Sequence, residues 1–147
     1  MKGNGQSHTQ MGFPIYDLNQ IPGPDFFRLA ADVKRGLMYL ASPYLSHGKV
    51  SKKVGEKRLQ RTLLFTDTLL NHGIWVFSPI VYGSTFEENG YEHETMWWMR
   101  RDFEFFKRCD IMGVYCLDGW EESPGVKQEM NWAMTMNKPL FLLSDVP

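Results

Sequence analysis

The chain has 147 residues, 43% of them apolar and 14% aromatic, which suits one domain with one core and argues against a disordered chain. A formal net charge of -1 argues against a nucleic-acid polymer or a membrane surface as partner, since both draw on a clustered basic excess. Cys109 and Cys116 form no C-x-x-C pair, so neither a disulfide framework nor a metal site is expected, and no other cofactor.

Residues 1–20 lack the apolar run of a signal peptide, and no stretch approaches the roughly 20 apolar residues that span a bilayer, so the expected compartment is the cytoplasm. Residues 1–24, polar and punctuated by Pro22-Gly23-Pro24, read as an N-terminal arm or extension, and 25–147 as the domain proper. Asp25 is a candidate cap for a short helix through Ala31, ended by Gly36. The apolar run Leu37-Met38-Tyr39-Leu40-Ala41, stopped by Ser42-Pro43, predicts a buried strand. Ser51 then precedes a helix with Leu59, Leu63, Thr66 and Leu70 on one stripe and Gly73 as a left-handed cap. The cations Lys49, Lys52, Lys53, Lys57, Arg58 and Arg61 fall at helical spacing and read as a solvated face.

Ile74-Trp75-Val76-Phe77 predicts a second strand, stopped by Ser78-Pro79, with a loop containing Gly83 and Gly90 beyond it. A second helix is expected over about 92–108, turning Met96, Met99, Phe103 and Phe106 inward. Trp98 and Phe105 fall off that stripe, which leaves extra packing and an oligomer contact open. Ile111-Met112-Gly113-Val114-Tyr115 reads as the third strand, and 117–122 as a loop. Ser123, with Pro124 at the first helical position, opens a third helix with Val126, Met130, Ala133 and Met134 inward. Asn137-Lys138-Pro139 ends it, and Leu140-Phe141-Leu142-Leu143 is the fourth strand. Continuous apolar strands alternating with amphipathic helices predict an α/β fold. The expectation is a single-domain parallel sheet of four to five strands, flavodoxin/Rossmann-like, with helices on both faces.

Ligands of such sheets bind beyond the carboxyl ends of the strands, so the post-strand residues are the candidates. These are Ser42, Pro43 and Tyr44, then Ser78 and Pro79, then 121–129. Ser123 and Gly125 sit where a helix start presents N–H groups, and Glu129, one to two turns on, leans toward the same mouth. The plainer alternative makes Ser123 only a cap and Glu129 a surface residue paired with a lysine. Asp102, beside Arg100 and Arg101, is by itself an ordinary solvated aspartate, whereas Asp110 reads as structural. His47, His72 and His93 show no metal-ligand spacing. Trp120 is a candidate either for stacking on a base or for a subunit contact.

Together, three segments resemble the nucleoside 2-deoxyribosyltransferase-like superfamily, and within it an uncharacterised bacterial and phage branch with a Tyr-Leu-Ala-Ser-Pro-Tyr signature. They are Met38 to Tyr44, the Asp102…Asp110 spacing, and Ser123-Pro124-Gly125-Val126-Lys127-Gln128-Glu129, which is similar to the Ser-x-Gly-x-x-x-Glu motif of deoxynucleoside monophosphate N-glycosidases. The resemblance spans about residues 37–143. It implies a hydrolase or transferase acting on the N-glycosidic bond of a small-molecule nucleoside or nucleotide, in a homo-oligomer (dimer or larger). Glu129 would be the nucleophile, Asp102 would orient the sugar or handle the proton of the leaving base, and Tyr39 would hold the nucleophile. Ser123 and Gly125 would bind a 5′-hydroxyl or 5′-phosphate. The loop Ser42 to His47 departs from the monophosphate-cleaving enzymes in having no arginine, with Lys49 or Lys52 as possible substitutes. Two alternatives stay open: a module that binds a nucleotide or NAD-derived ligand without cleaving it, and an interaction protein using the arm and Trp97, Trp98 or Trp120.

Overall fold

A computed structural model describes residues 6–8, 14–17 and 36–145, with ten helices and strands in order. These are β1 (Gln6–His8), β2 (Pro14–Asp17), β3 (Leu37–Ala41), α1 (Lys52–Asn71), β4 (Trp75–Phe77), α2 (Pro79–Glu88), α3 (Thr95–Arg108), β5 (Ile111–Tyr115), α4 (Pro124–Thr135) and β6 (Leu140–Ser144). The short helix expected from Asp25 through Ala31 lies outside the described residues.

The strands form one sheet in the order β1-β2-β6-β5-β3-β4. Five of them, β2 through β6, run parallel, and only β1 pairs antiparallel, with β2. The α/β architecture with its parallel sheet is therefore as the sequence predicts. The stretch read as an arm differs: it supplies two strands of the same sheet, and β2 pairs in parallel with β6. Pro14–Asp17 has only four residues, too short for a periodicity signal to stand out from its polar surroundings.

Successive strand residues point to opposite faces, which sorts the core into two layers. Met38, Leu40, Ile111, Tyr115 and Leu143 pack with Phe65 and Leu69 of α1. Tyr39, Ala41, Met112, Val114 and Leu142 pack with Phe106 of α3 and with Val126 and Ala133 of α4. In the first layer the Phe65 and Tyr115 rings lie parallel, their centroids 3.9 Å apart. Gly113, on central strand β5, lets Met38 cross close above it. A methyl group there would meet Met38 Sδ at 2.6 Å and Leu143 Cδ1 at 3.1 Å. Gly113→Ala is expected to lower stability by about 1–3 kcal/mol through overpacking, read as a lower midpoint in urea with an unchanged slope.

The helix faces are rotated from those expected. On α1 the buried residues are Gly55, Leu59, Thr62, Phe65, Thr66 and Leu69, while Leu63 and Leu70 are both 47% exposed. On α3 the buried residues are Asp102 and Phe106, and Met96 is exposed; on α4 they are Val126, Glu129 and Ala133, and Met134 is exposed. Small and polar residues hold these faces because α1 crowds against the sheet and the other two helices border a cleft. The helix expected from 92 starts at Thr95, behind Glu94. The largest departure is α2, which occupies what reads as a loop through Gly83. Ser78 accepts a hydrogen bond from the Val81 N–H at 3.2 Å, and Pro79 takes the first turn, where its missing N–H costs nothing. This helix also accounts for the two aromatic residues left over on α3. Trp98 packs against Tyr82 and Phe86 of α2, and Phe105 stacks on Phe77 with centroids 4.4 Å apart.

Two polar fastenings set the remaining geometry. Asp110 exchanges backbone and side-chain hydrogen bonds with Leu37, both at 2.8 Å, which fixes β5 against the start of β3. Lys138, just beyond α4, donates to the carbonyls of Phe106 (2.9 Å), Lys107 (2.8 Å) and Cys109 (2.5 Å), and so closes the C-terminus of α3.

Candidate functional site

The chain turns outward from β3 in two directions: α1 leads to β4 on one side, while β5 and then β6 lie on the other. Strand order therefore reverses between β3 and β5, where their carboxyl ends separate and leave a crevice. A cleft of about 150 Å³ lies there. Its walls are Ser42, Tyr44, Leu45 and Ser46 after β3, residues of α2 and α3, and Ser123, Gly125 and Glu129 after β5.

Glu129 is only 6% exposed, which sets aside the picture of a surface carboxylate paired with a lysine. The Tyr39 hydroxyl, fully buried on β3, donates to Glu129 Oε2 at 2.5 Å. Tyr39 is itself boxed in by Phe77, Phe106 and Trp132, so its hydroxyl is aimed by aromatic packing. Asp102, on α3, is 8% exposed and lines the same cleft. Its neighbouring cation is used elsewhere: the Arg101 guanidinium lies 3.5 Å over the Trp97 ring and donates to the Trp97 carbonyl. Burial pushes the Asp102 carboxyl up to about 7. Burial also pushes Glu129 up to about 8, with the Asp102 charge adding to the rise and the Tyr39 hydrogen bond opposing it. Burial first, then the two carboxylates, hold the Tyr39 hydroxyl well above its usual range. The acids are coupled, so near neutral pH the pair holds about one proton between them.

Of the residues singled out in the sequence, Ser42, Tyr44, Pro79, Asp102, Ser123, Gly125 and Glu129 line the cleft, and Tyr39 stands directly behind Glu129. Three others are placed differently. Pro43 is buried beside the cleft, and Ser78 is buried as the cap of α2. Trp120, in a single 3-10 turn, packs against the core layer containing Tyr39 and Val126, so its ring is a structural wedge and not a cleft wall. Ser123 does cap its helix, accepting from the Val126 N–H at 3.3 Å.

Besides Leu45 and Ser46 after β3, the residues missed are those of the two middle helices: Ile80, Gly83, Ser84 and Glu87 from α2, and Thr95, Trp98 and Met99 from α3. Ser78-Pro79 was the available signal, since it repeats the cap-plus-proline start of α4. Two buried donors at the cleft, the Ser42 hydroxyl and the Trp98 indole N–H, have no hydrogen-bond partner among the described residues. An unmet buried donor costs roughly 1–3 kcal/mol, and both of these belong to residues that line the cleft. Arg58 stands outside the cleft as a strap. It donates to the Tyr44 carbonyl at 2.8 Å and the Asp118 carbonyl at 3.0 Å, tying the β3 and β5 loops together. Lys49 and Lys52 are exposed and do not reach the cleft wall.

Among the described residues no group of His, Cys, Asp and Glu is arranged to hold a metal ion, and no helix is long and apolar enough to cross a membrane. No curated protein matches the chain. A family profile does, over residues 36–145, which takes in the cleft and all its walls. The chain belongs to the family described as domain of unknown function DUF1937.

Proposed function

We propose that the protein cleaves the N-glycosidic bond of a nucleoside-like molecule, with Glu129 as the nucleophile and Asp102 as the proton donor. The observation that carries this reading is the buried pair itself: two carboxylates from different helices on one cleft, one of them held by a tyrosine hydroxyl. Three segments resembling the nucleoside 2-deoxyribosyltransferase-like superfamily support the same assignment.

In this mechanism the Glu129 carboxylate attacks the anomeric carbon as the bond to the base nitrogen breaks, and Asp102 passes its proton to the departing base. Water then adds to the glycosyl ester, giving its proton back to Asp102 and regenerating the Glu129 carboxylate. A second base in place of water makes the reaction a transfer. Burial, with the Asp102 charge beside it, makes Glu129 the weaker acid of the two. Positive charge growing on the sugar, with the Tyr39 donor behind the carboxylate, moves the anion onto Glu129 when it is needed. The cleft, at about 150 Å³, is smaller than the roughly 300–1,000 Å³ of typical ligand pockets, so it encloses a sugar-sized part and leaves the base toward the mouth. Both cysteines are free thiols, which supports a cytoplasmic setting.

The test is incubation with a panel of nucleosides, nucleoside monophosphates and NAD, followed by chromatography for free base across pH 5 to 10. Chemistry needs one proton on the pair. Activity should therefore fall below about 7, where both acids are protonated and no nucleophile exists, and above about 8, where no acid remains. A bell with a narrow top between those values is expected. Base release that is flat across this range would reject the assigned pair. Ligand-dependent thermal stabilisation with no product would assign the cleft to binding alone.

A further inference from the structure

We propose that the cleft selects an uncharged nucleoside over its 5′-phosphorylated counterpart, and that Glu87 on α2 is the residue that enforces this choice. The proposal rests on the N-glycosidic reading and names its substrate class.

The argument begins with charge. Glu87 lines the cleft together with Asp102 and Glu129, so three carboxyl groups face one small space. With one proton shared between Asp102 and Glu129, these groups carry about two negative charges near neutral pH. Two helix starts border the cleft, those of α2 at Pro79 and α4 at Gly125, and each offers roughly half a positive charge. No Lys, Arg or His is among the described residues lining the cleft, and Arg58 stands outside it, so the groups facing a ligand stay net negative. A phosphate monoester brings about -1.5 to -2 more, so its entry is opposed.

The usual anion-binding devices are partly engaged. Ser78 and Ser123 occupy the Val81 and Val126 N–H groups, and Pro79 and Pro124 have no N–H to offer, which leaves one N–H at each helix start, those of Ile80 and Gly125. The Arg58 guanidinium is committed to the carbonyls of Tyr44 and Asp118. Among the side chains of the cleft, what remains unmet is neutral: the Ser42 hydroxyl, in a residue 4% exposed, and the Trp98 indole N–H. Indole donates only, so it asks for an acceptor such as a base carbonyl or a hydroxyl oxygen. Carboxylates in turn accept from sugar hydroxyls. A ligand rich in hydroxyls and free of phosphate matches this set.

The experiment uses the full chain and matched pairs: 2′-deoxyadenosine, 2′-deoxyguanosine, 2′-deoxycytidine and thymidine, their ribose equivalents, and the 5′-monophosphate of each. Free-base release and thermal shift are both recorded. The parent is expected to favour nucleosides at least tenfold in kcat/KM. Glu87→Gln should lower that ratio by roughly threefold to tenfold, Glu87→Lys should lower it further, and added salt should lower it in the parent. Monophosphates released as fast as nucleosides, or faster, would overturn the selectivity and leave the N-glycosidase reading standing. A ratio unmoved by both folded Glu87 variants would overturn the role of Glu87. If no member of either class is bound or cleaved, the parent reading falls and takes this inference with it.

Discussion

Glu129→Gln is expected to cut base release by about 10³-fold or more, because it removes the atom that bonds to the sugar while keeping the shape of the side chain. Ligand-induced thermal stabilisation should survive in the variant, since the cleft walls and the unmet donors of Ser42 and Trp98 stay in place. Asp102→Asn should cost less, roughly 10²–10⁴-fold, and should hurt poor leaving groups most, as expected for loss of a proton donor. Tyr39 touches Glu129 and lies behind it, so it is a positioning residue. Tyr39→Phe should move the alkaline limb of the pH profile upward, because its hydrogen bond is the one influence that lowers the Glu129 value. Glu129→Gln releasing base at the parent rate would remove the nucleophile from the scheme altogether.

The second large effect concerns stability. Both acids have folded-state values far above those of an unfolded chain, near 4, so the folded protein holds extra protons between about pH 4 and pH 8. Stability from this source is fully present below about pH 4 and is lost progressively as pH rises from there to about 7 for Asp102 and about 8 for Glu129. The parent should therefore melt at a lower temperature at pH 8.5 than at pH 6. Glu129→Gln cannot ionise and should escape much of that loss. A gain on the order of 2–4 kcal/mol at pH 8.5, or roughly 5–10 °C, is expected, with a smaller gain at pH 6 and little change near pH 4. An ordinary structural carboxylate, satisfied by Tyr39, would behave in the opposite way, and Gln would then destabilise the protein at every pH. A melting difference that is negative and independent of pH would decide for that alternative. Losing activity while gaining stability is the behaviour of a group kept for chemistry.

The parallel sheet was readable because β3, β5 and β6 are continuous apolar runs between glycines and prolines, a pattern with few other solutions. The faces of the helices were not. Ranking Leu63, Leu70, Met96 and Met134 as core treats hydrophobicity as the guide, yet these helices turn Thr62, Asp102 and Glu129 inward instead. A helix that borders a cleft is buried partly by polar residues, which no apolar stripe can report. Helix α2 was lost for a different reason. Ser-Pro after an apolar run marks both the end of a strand and the start of a helix, and at Ser78-Pro79 only the first meaning was taken. At Ser123-Pro124 the second was. That one omission hid Glu87 and left Trp98 without a neighbour, whereas Glu129 was reachable from its place after the third strand, and Asp102 and Tyr39 only through the resemblance.

Lys138 makes the two acid-bearing helices into the arms of a pair of calipers. Its ammonium group pins the tail of α3, while its own backbone continues from the tail of α4. Asp102 stands seven residues from Cys109, so the arm from pivot to jaw is about 10 Å long. A tilt of about 5° at that pivot displaces the jaw by about 1 Å, enough to spoil the alignment of reacting atoms. The gap between the two carboxyl groups is thus gauged from a point outside the cleft wall.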